Sequence, residues 1–142
     1  MPAGRRAIVT ILAALLAPAA SAAPADFRCF RSAGAGRPIL LQFDFPQGKR
    51  AVGHVSYQRG SGKIPVRLVS TQSEETAPGR PRAFTTTWKE VVQTGPQGSY
   101  TLVTQGARVY GFTFVRGKDR RRVEFEEDLD AAGERGCVWQ ND

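Results

Sequence analysis

Five cationic residues lie close together near the C-terminus and form the first candidate for a binding site. They are Arg116, Lys118, Arg120, Arg121 and Arg122. Such side chains bind phosphate and carboxylate groups through charge-assisted hydrogen bonds. A groove for single-stranded nucleic acid would also need aromatic side chains between the cations, and the run contains none. Two interpretations stay open: a solvated hairpin tip around residues 117–120, or a weak anion-binding site.

His54 is the only histidine, so a catalytic triad is restricted to one arrangement. Ser56 lies two residues along on the same strand face, and Asp44 lies on the outward face of the preceding predicted strand. A serine nucleophile in a G-x-S-x-G motif sits at a sharp strand-to-helix turn, and no such motif surrounds Ser56. We therefore expect an ordinary polar strand face and no enzyme activity.

Acidic residues provide a second, weaker set of chemical candidates. Glu124, Glu126 and Asp128 alternate on one strand face, about 7 Å apart in succession, a separation that also occurs in inverting glycosidases. Any strand with alternating acids has this spacing. Glu74-Glu75 and Glu126-Glu127-Asp128 could contact Ca²⁺, but neither group belongs to an Asp-x-Asp-x-Asp-Gly loop. The GSGK segment at residues 60–63 lacks the full P-loop pattern and is interpreted as a hairpin turn. No cofactor and no metal site is predicted.

Cys29 and Cys137 are the only cysteines and lie near opposite ends of the chain. In an oxidising compartment such a pair predicts a disulfide. Closing a loop of about 108 residues would stabilise the fold by up to roughly 4–5 kcal/mol through chain entropy. A metal site would need more ligands than two distant cysteines and one histidine. The disulfide requires the first and last elements of the fold to be neighbours, because the Cα atoms must lie within about 7 Å.

Residues 1–22 have the three-part pattern of a secretory signal peptide. An arginine pair precedes an apolar stretch, and Ala20-Ser21-Ala22 fits an A-x-A cleavage site. The apolar stretch is shorter than the roughly 20 residues that span a bilayer. We therefore predict export and a mature single β domain, residues 23–142, without a membrane span. The general and the twin-arginine secretion routes stay open.

Apolar and polar residues alternate along seven short segments, which is typical of half-buried strands. The segments are PILLQFDFP, AVGHVSYQ, KIPVRLVST, AFTTTWKEVV, YTLVT, RVYGFTFVR and RRVEFEEDL. Turns of hairpin length such as PQGK join most of them, and residues 72–82 form the longest loop. This spacing predicts an all-β fold, an antiparallel meander of about seven to eight strands that closes into a small barrel or folds into a sandwich. The terminal GCVWQ is the candidate eighth strand, beside the segment that contains Cys29.

Six aromatic side chains are the candidates for a core or for an apolar-ligand pocket. They are Phe43, Phe45, Trp88, Tyr110, Phe112 and Phe114, of which the last three alternate along one strand face. A barrel of seven or eight strands has an interior just wide enough to be filled by its own side chains. We therefore expect these aromatics to form the core, with carriage of a small apolar ligand as the alternative.

Charge points to the class of partner. Loss of the signal peptide and its two arginines lowers the formal net charge from +7 to +5. A basic surface attracts anionic partners without specifying them. We expect a non-catalytic binding protein of the cell envelope, periplasmic or secreted and monomeric. Its expected partner is a protein or an anionic polymer such as lipopolysaccharide or an acidic glycan, and not a specific nucleic acid.

In size, export and end-to-end cysteine pairing, the chain resembles the periplasmic inhibitors of c-type lysozymes, which are small disulfide-closed β-barrels. The resemblance implies a barrel that inhibits a hydrolase. It covers architecture only, since the inhibitory Ser and Lys loops of that family are not matched by residues of this chain. Those lysozymes are basic and would be repelled at long range by a net charge of +5. Inhibition of a hydrolase is therefore a further alternative.

Overall fold

Eight β-strands and one short 3-10 helix are present in residues 26–46 and 52–140, which are the residues described by the computed structural model. The strands are β1 Phe27–Ser32, β2 Leu40–Asp44, β3 Val52–Tyr57, β4 Lys63–Glu74, β5 Ala83–Glu90, β6 Ser99–Gln105, β7 Arg108–Val115 and β8 Arg122–Glu127. The helix η1 spans Leu129–Ala131. The predicted signal peptide, residues 1–22, and most of the PQGK turn lie outside the described residues.

The strands form a closed barrel in which every strand pairs antiparallel with the next along the chain. The predicted all-β meander is confirmed, and closure selects the barrel over the sandwich. The barrel closes through β1 and β8, where Phe30 lies opposite Glu127. The eighth strand is therefore β1 itself and not the terminal GCVWQ. Among the described residues of that segment, pairing is limited to one isolated bridge, between Ala132 and Cys137.

The inward faces of the strands supply a filled core. Ten side chains are buried there: Phe30, Leu41, Phe43, Val55, Val66, Trp88, Tyr100, Leu102, Phe112 and Phe125. Their rings pack closely, with centroid distances of 4.2 Å between Phe30 and Phe112 and 5.4 Å between Phe43 and Trp88. Offset and edge-on contacts of this kind add to the gain from apolar burial. The aromatics of the central strands thus form the core.

Tyr110 is the exception, because it points outward and is 59% exposed. A β-bulge between β6 and β7 causes the reversal. Val103 lies opposite Gly111, and the next residue, Thr104, lies opposite Val109, so Tyr110 has no partner in the register. An extra residue shifts the alternation of side chains on the bulged strand. Val109 packs against the core in place of the predicted Tyr110.

The longest loop is shorter than predicted, because β4 continues to Glu74 and β5 begins at Ala83. A second register shift, between Leu68 and Ser70, lies within this long hairpin. The prediction placed Gln72 and Ser73 in the loop because residues 72–82 combine charged residues, a glycine and two prolines. They are instead exposed strand residues, opposite Thr85 and Phe84.

The predicted disulfide is confirmed, with the Cα atoms of Cys29 and Cys137 5.7 Å apart. Cys29 is only 2% exposed. The C-terminal segment is also held by Gln42, whose side-chain oxygen accepts a hydrogen bond from the Cys137 N–H at 2.7 Å. A disulfide in this position is compatible with an oxidising location such as the periplasm or the cell exterior.

Within residues 26–46 and 52–140, no helix has the length and apolar character needed to cross a membrane.

The two ends of the barrel differ. At the end where β1 begins and β8 finishes, the inward side chains of Arg28 and Glu127 form an ion pair. Arg28 also donates a hydrogen bond to the carbonyl oxygen of Ala107, in the turn between β6 and β7. These contacts tie β1 and β8 to the turn between β6 and β7, and this end is called the closed end. The opposite end, where β3, β5 and β7 finish, is called the open end.

Candidate functional site at the open end of the barrel

A depression of about 450 Å³ lies at the open end and is called the mouth. Its apolar lining consists of Ile39, Phe114, Val123 and Phe125, and its polar lining of Tyr57, Glu90, Arg116 and Arg121. A second depression of about 400 Å³ adjoins it, because Ile39 and Tyr57 line both. Arg37 and Arg59 also line the second depression. The volume of the mouth falls in the usual range of small-molecule sites, roughly 300–1,000 Å³.

Strand alternation explains why polar groups point into the mouth. On β3 the buried Val55 is followed two residues later by Tyr57, and on β5 the buried Trp88 is followed by Glu90. Because side chains of a strand return to the same face every second residue, the last inward position of each strand reaches the end of the barrel. The periodicity that fills the core therefore also places Tyr57 and Glu90 at the mouth.

Tyr57 and Glu90 form a hydrogen-bonded chain with Tyr100, which is fully buried beneath them in the core. The hydroxyl oxygens of Tyr57 and Tyr100 are 2.7 Å apart, and the Tyr100 hydroxyl donates to Glu90 Oε1 at 3.1 Å. The other carboxylate oxygen, Oε2, accepts a hydrogen bond from the N–H of Gly98 at 3.1 Å. Burial, with the nearby Glu90 carboxylate adding to it, raises the pKa of both tyrosines above its ordinary value. Both hydroxyls therefore keep their protons at neutral pH and act as donors.

Two glycines allow the elements around the mouth to approach closely. A Cβ atom at Gly98 would lie 2.5 Å from the ring of Phe114 and 2.8 Å from Glu90 Oε2. A Cβ at Gly117 would lie 2.5 Å from the carbonyl oxygen of Pro96, in the loop between β5 and β6. The hairpin between β7 and β8 therefore packs directly on that loop. This contact holds the cationic hairpin beside the mouth.

The predicted hairpin tip is present, and its backbone closes around Asp119. The N–H of Arg116 donates to the carbonyl oxygen of Arg121 at 2.9 Å, and the N–H of Arg121 donates to Asp119 Oδ1 at 3.1 Å. Arg120 has a φ of 60°, in the left-handed region that glycine usually occupies. A backbone of this form is common in tight hairpin connections.

The five cations predicted as one anion-binding cluster are divided between different surroundings. Arg116 and Arg121 line the mouth. Lys118 and Arg120 are exposed at the tip and are not among the lining residues. Arg122 forms an ion pair with Glu124 on the outer surface of the barrel. The structure thus brings two of the five to a concave surface, and anion binding by them stays a prediction.

His54, Ser56 and Asp44 do not form a hydrogen-bonded triad. Asp44 lies directly opposite His54 in the register of β2 and β3. Its carboxylate instead accepts hydrogen bonds from Lys63 Nζ, at 2.9 Å, and from the side-chain amide of Gln42. Ser56 Oγ is buried, and among residues 26–46 and 52–140 it has no hydrogen-bond partner. Neither His54 nor Ser56 lines the mouth.

The acidic residues of β8 and the segment after it contact cations and a hydroxyl. Hydrogen bonds from Thr113, at 2.7 Å, and from Arg122 hold the pKa of the Glu124 carboxyl below its ordinary value. Arg28 pairs with Glu127, and Asp128 lies 3.5 Å from Arg31 Nε. Within the described part of the chain, no group of three or more His, Cys, Asp or Glu residues is placed to hold a metal ion.

The GSGK segment is a hairpin turn, as predicted. It joins β3 to β4, and the N–H of Gly60 donates to the carbonyl oxygen of Tyr57 at 2.9 Å. This turn places Arg59 beside the mouth.

Sequence reasoning missed Arg37, Arg59, Tyr57 and Glu90 as site residues. Glu90 carried a usable signal, because it continues the inward series of Trp88 with a carboxylate where an apolar residue is expected. Arg37 and Arg59 carried none, since each lies in a separate polar turn and only barrel closure brings the two together.

Comparison with protein families, with curated proteins and with solved structures finds no match for this chain. The geometry of the mouth is therefore the basis for the functional proposal that follows.

Proposed function

We propose that the protein is an exported, non-catalytic binding protein of the cell envelope that binds an anionic partner at the mouth. One observation carries the proposal: four arginines, Arg37, Arg59, Arg116 and Arg121, line two adjoining depressions together with a single carboxylate, Glu90. Glu90 already accepts hydrogen bonds from Tyr100 and Gly98. The arginines thus give the open end a local excess of positive charge.

The arginines are suited to a ligand because they are close to apolar surface and only partly neutralised. Arg116 has one ion pair, with Asp119 at 3.5 Å, and half of its side chain is exposed. A guanidinium has five N–H donors, so one such contact leaves others available. Beside apolar walls, where water is partly excluded, hydrogen bonds from these donors to an anion gain strength.

Export to the periplasm or the cell exterior is part of the proposal. It is supported by the signal-peptide pattern of residues 1–22 and by the disulfide between Cys29 and Cys137. In the cell envelope the abundant anionic partners are acidic glycans and phosphorylated lipids. We propose an anionic polymer of this kind as the partner and expect the protein to act as a monomer.

The proposal is tested by titrating the mature protein with a sulfated octasaccharide prepared from heparin. The key variant replaces Arg116 and Arg121 by serine, and the matched control replaces Lys118 and Arg120 by serine. Each double variant removes two positive charges from the same hairpin. Because charge-assisted hydrogen bonds contribute about 1.5–3 kcal/mol each, we expect the key variant to bind at least about 10-fold more weakly.

The control variant should bind the octasaccharide about 2- to 3-fold more weakly than wild type, because it removes only long-range attraction that salt screens. Equal losses in the two variants would mean that the hairpin attracts anions merely as a solvated charged tip. Unchanged binding in the key variant would refute the proposal.

Carriage of an apolar ligand is the second candidate function, and the apolar lining of the mouth favours it. The barrel interior is occupied by the side chains of the core, so such a ligand would bind at the mouth. Octan-1-ol distinguishes the two functions, because it has an apolar chain and no charge. If octan-1-ol binds as tightly as octanoate, and binds equally well to the variant without Arg116 and Arg121, then carriage of apolar ligands is the better description.

A further inference from the structure

The mouth combines three kinds of surface within one small-molecule volume. Cationic donors are supplied by Arg116 and Arg121 on one side. Apolar surface is supplied by Phe114, Val123 and Phe125, of which Phe125 is almost completely buried. Tyr57, which lines both the mouth and the second depression, supplies a hydroxyl group. A ligand that uses all three must carry charge, apolar surface and a polar group together.

The hydrogen-bonded chain at the mouth has one direction. Each tyrosine hydroxyl has a single proton and can donate only one hydrogen bond. Tyr100 donates its proton to Glu90 Oε1, so the 2.7 Å contact between the two hydroxyls must use the proton of Tyr57. Tyr57 Oη therefore has no proton left for a ligand. It can act towards the mouth only as a hydrogen-bond acceptor.

This direction restricts the ligand chemistry. An anionic group cannot bind to Tyr57 Oη, because an acceptor facing another acceptor leaves both without a hydrogen. The anionic group must contact the arginines, and the group beside Tyr57 must be a donor such as a hydroxyl. Phe114 and Val123, which line the same depression, favour a hydrocarbon body, since roughly 25 cal/mol is gained for each Å² of apolar surface removed from water.

From this arrangement, and resting on the proposed function, we infer that the mouth binds an amphiphilic acid that also carries a hydroxyl group. The acid group contacts Arg116 and Arg121, the hydroxyl donates to Tyr57 Oη, and the hydrocarbon body lies against Phe114 and Val123. A hydroxylated fatty acid, free or as the end of a larger envelope molecule, has this chemistry. The inference assigns a substrate class to the mouth and a selective role to Tyr57.

Three eight-carbon probes test the inference by calorimetric titration of the mature protein at neutral pH. They are 3-hydroxyoctanoate, which has both groups, octanoate, which lacks the hydroxyl, and octane-1,3-diol, which lacks the charge. A neutral hydrogen bond contributes about 0.5–1.5 kcal/mol, so we expect octanoate to bind about 2- to 12-fold more weakly than the hydroxy acid. The diol should bind at least about 10-fold more weakly, because it loses charge-assisted hydrogen bonds.

The decisive variant is Tyr57→Phe, with Tyr110→Phe as the control because Tyr110 is exposed on the outer surface. In Tyr57→Phe the preference for 3-hydroxyoctanoate over octanoate should disappear, because the ligand hydroxyl loses its acceptor. Tyr110→Phe should keep the preference. Thermal unfolding of each variant establishes that it is folded, so a change in preference is not a loss of structure.

The inference is overturned if octanoate and 3-hydroxyoctanoate bind wild-type protein equally, if Tyr57→Phe keeps the preference, or if no probe binds at millimolar concentration. These failures are distinguishable from failure of the proposed function. If the proposed function itself failed, the sulfated octasaccharide would bind the Arg116→Ser, Arg121→Ser variant as tightly as it binds wild type. Loss of octasaccharide binding in that variant, with equal binding of the three probes, would retain the function and reject the ligand class.

Discussion

The closed end and the open end of the barrel each direct a carboxylate inward, and the two carboxylates have different partners. Glu127, whose side chain is 16% exposed, pairs with Arg28, and Arg28 also bonds to the backbone at Ala107. Glu90 accepts hydrogen bonds from neutral donors, the hydroxyl of Tyr100 and the N–H of Gly98. At the closed end Arg28 makes contacts that stabilise the fold. At the open end Arg116 and Arg121 line a depression, and we propose that they bind a partner there.

We therefore expect the closed end to contribute mainly to stability and the open end mainly to binding. Contacts at the closed end join the first and last strands and should determine how strongly the barrel resists unfolding. At the open end Arg116 pairs with Asp119 in its own hairpin and does not join two strands, so we expect its removal to change binding more than stability.

Loss of the disulfide should have the largest effect. Replacing Cys29 and Cys137 together by serine removes a crosslink that closes 108 residues of sequence. We expect the free energy of unfolding to fall by about 2–4 kcal/mol, measured by urea denaturation. Binding of the sulfated octasaccharide below the unfolding transition should stay within about 2-fold of wild type. A large loss of binding in the folded double variant would mean that the two ends are coupled.

Breaking the ion pair at the closed end should come next. Glu127→Leu leaves Arg28 partly buried without its carboxylate, and we expect a loss of about 1–3 kcal/mol in the free energy of unfolding. Replacing Arg28 by methionine in the same protein should restore part of the loss, because a half-buried pair can be exchanged for apolar side chains at small cost. Additive losses in the double variant would contradict an interaction between these two residues.

Alkaline pH should weaken the fold through the tyrosines of the open end. Below pH 10, the ordinary pKa of tyrosine, both hydroxyls are protonated in the folded and in the unfolded chain. Above it the unfolded chain releases protons that Tyr57 and Tyr100 retain in the folded chain, because burial raises their pKa values. The free energy of unfolding should therefore fall as pH rises above 10, by up to about 1.4 kcal/mol per pH unit for each tyrosine.

Urea denaturation of wild type and Tyr57→Phe at several pH values measures how steeply the free energy of unfolding falls with pH. The variant should show a shallower decrease, since one of the two retained protons is absent. Equal slopes would mean that the Tyr57 hydroxyl ionises as readily in the folded chain as in the unfolded one.

Much of the fold could be predicted from strand periodicity and cysteine spacing. Alternation in segments such as QFDF and YTLVT depends only on adjacent residues, and Phe43, Tyr100 and Leu102 are buried as that alternation requires. The exposed Tyr110 was missed because the bulge that turns it outward depends on pairing with β6, which local sequence does not encode. The choice of a barrel over a sandwich was likewise beyond prediction, since it depends on contact between β1 and β8.

The candidate site was predicted only in part, for a related reason. The cations of the 116–122 hairpin were visible as a run in the sequence, whereas Arg37, Arg59 and Glu90 come from three separate parts of the chain. Barrel closure assembles them at one end. Polarity within the run also did not distinguish Arg116 and Arg121, which line the mouth, from Lys118 and Arg120, which do not.

The central claim is that an anionic partner binds at the open end of the barrel. Amide chemical shifts measured by two-dimensional NMR during titration with the sulfated octasaccharide test it most directly. We predict shifts concentrated in residues 37–40, 57–60 and 114–123, and little change in residues 27–29, 105–109 and 127–129. Shifts that centre on the closed end, or that spread evenly over all basic surfaces, would contradict the claim.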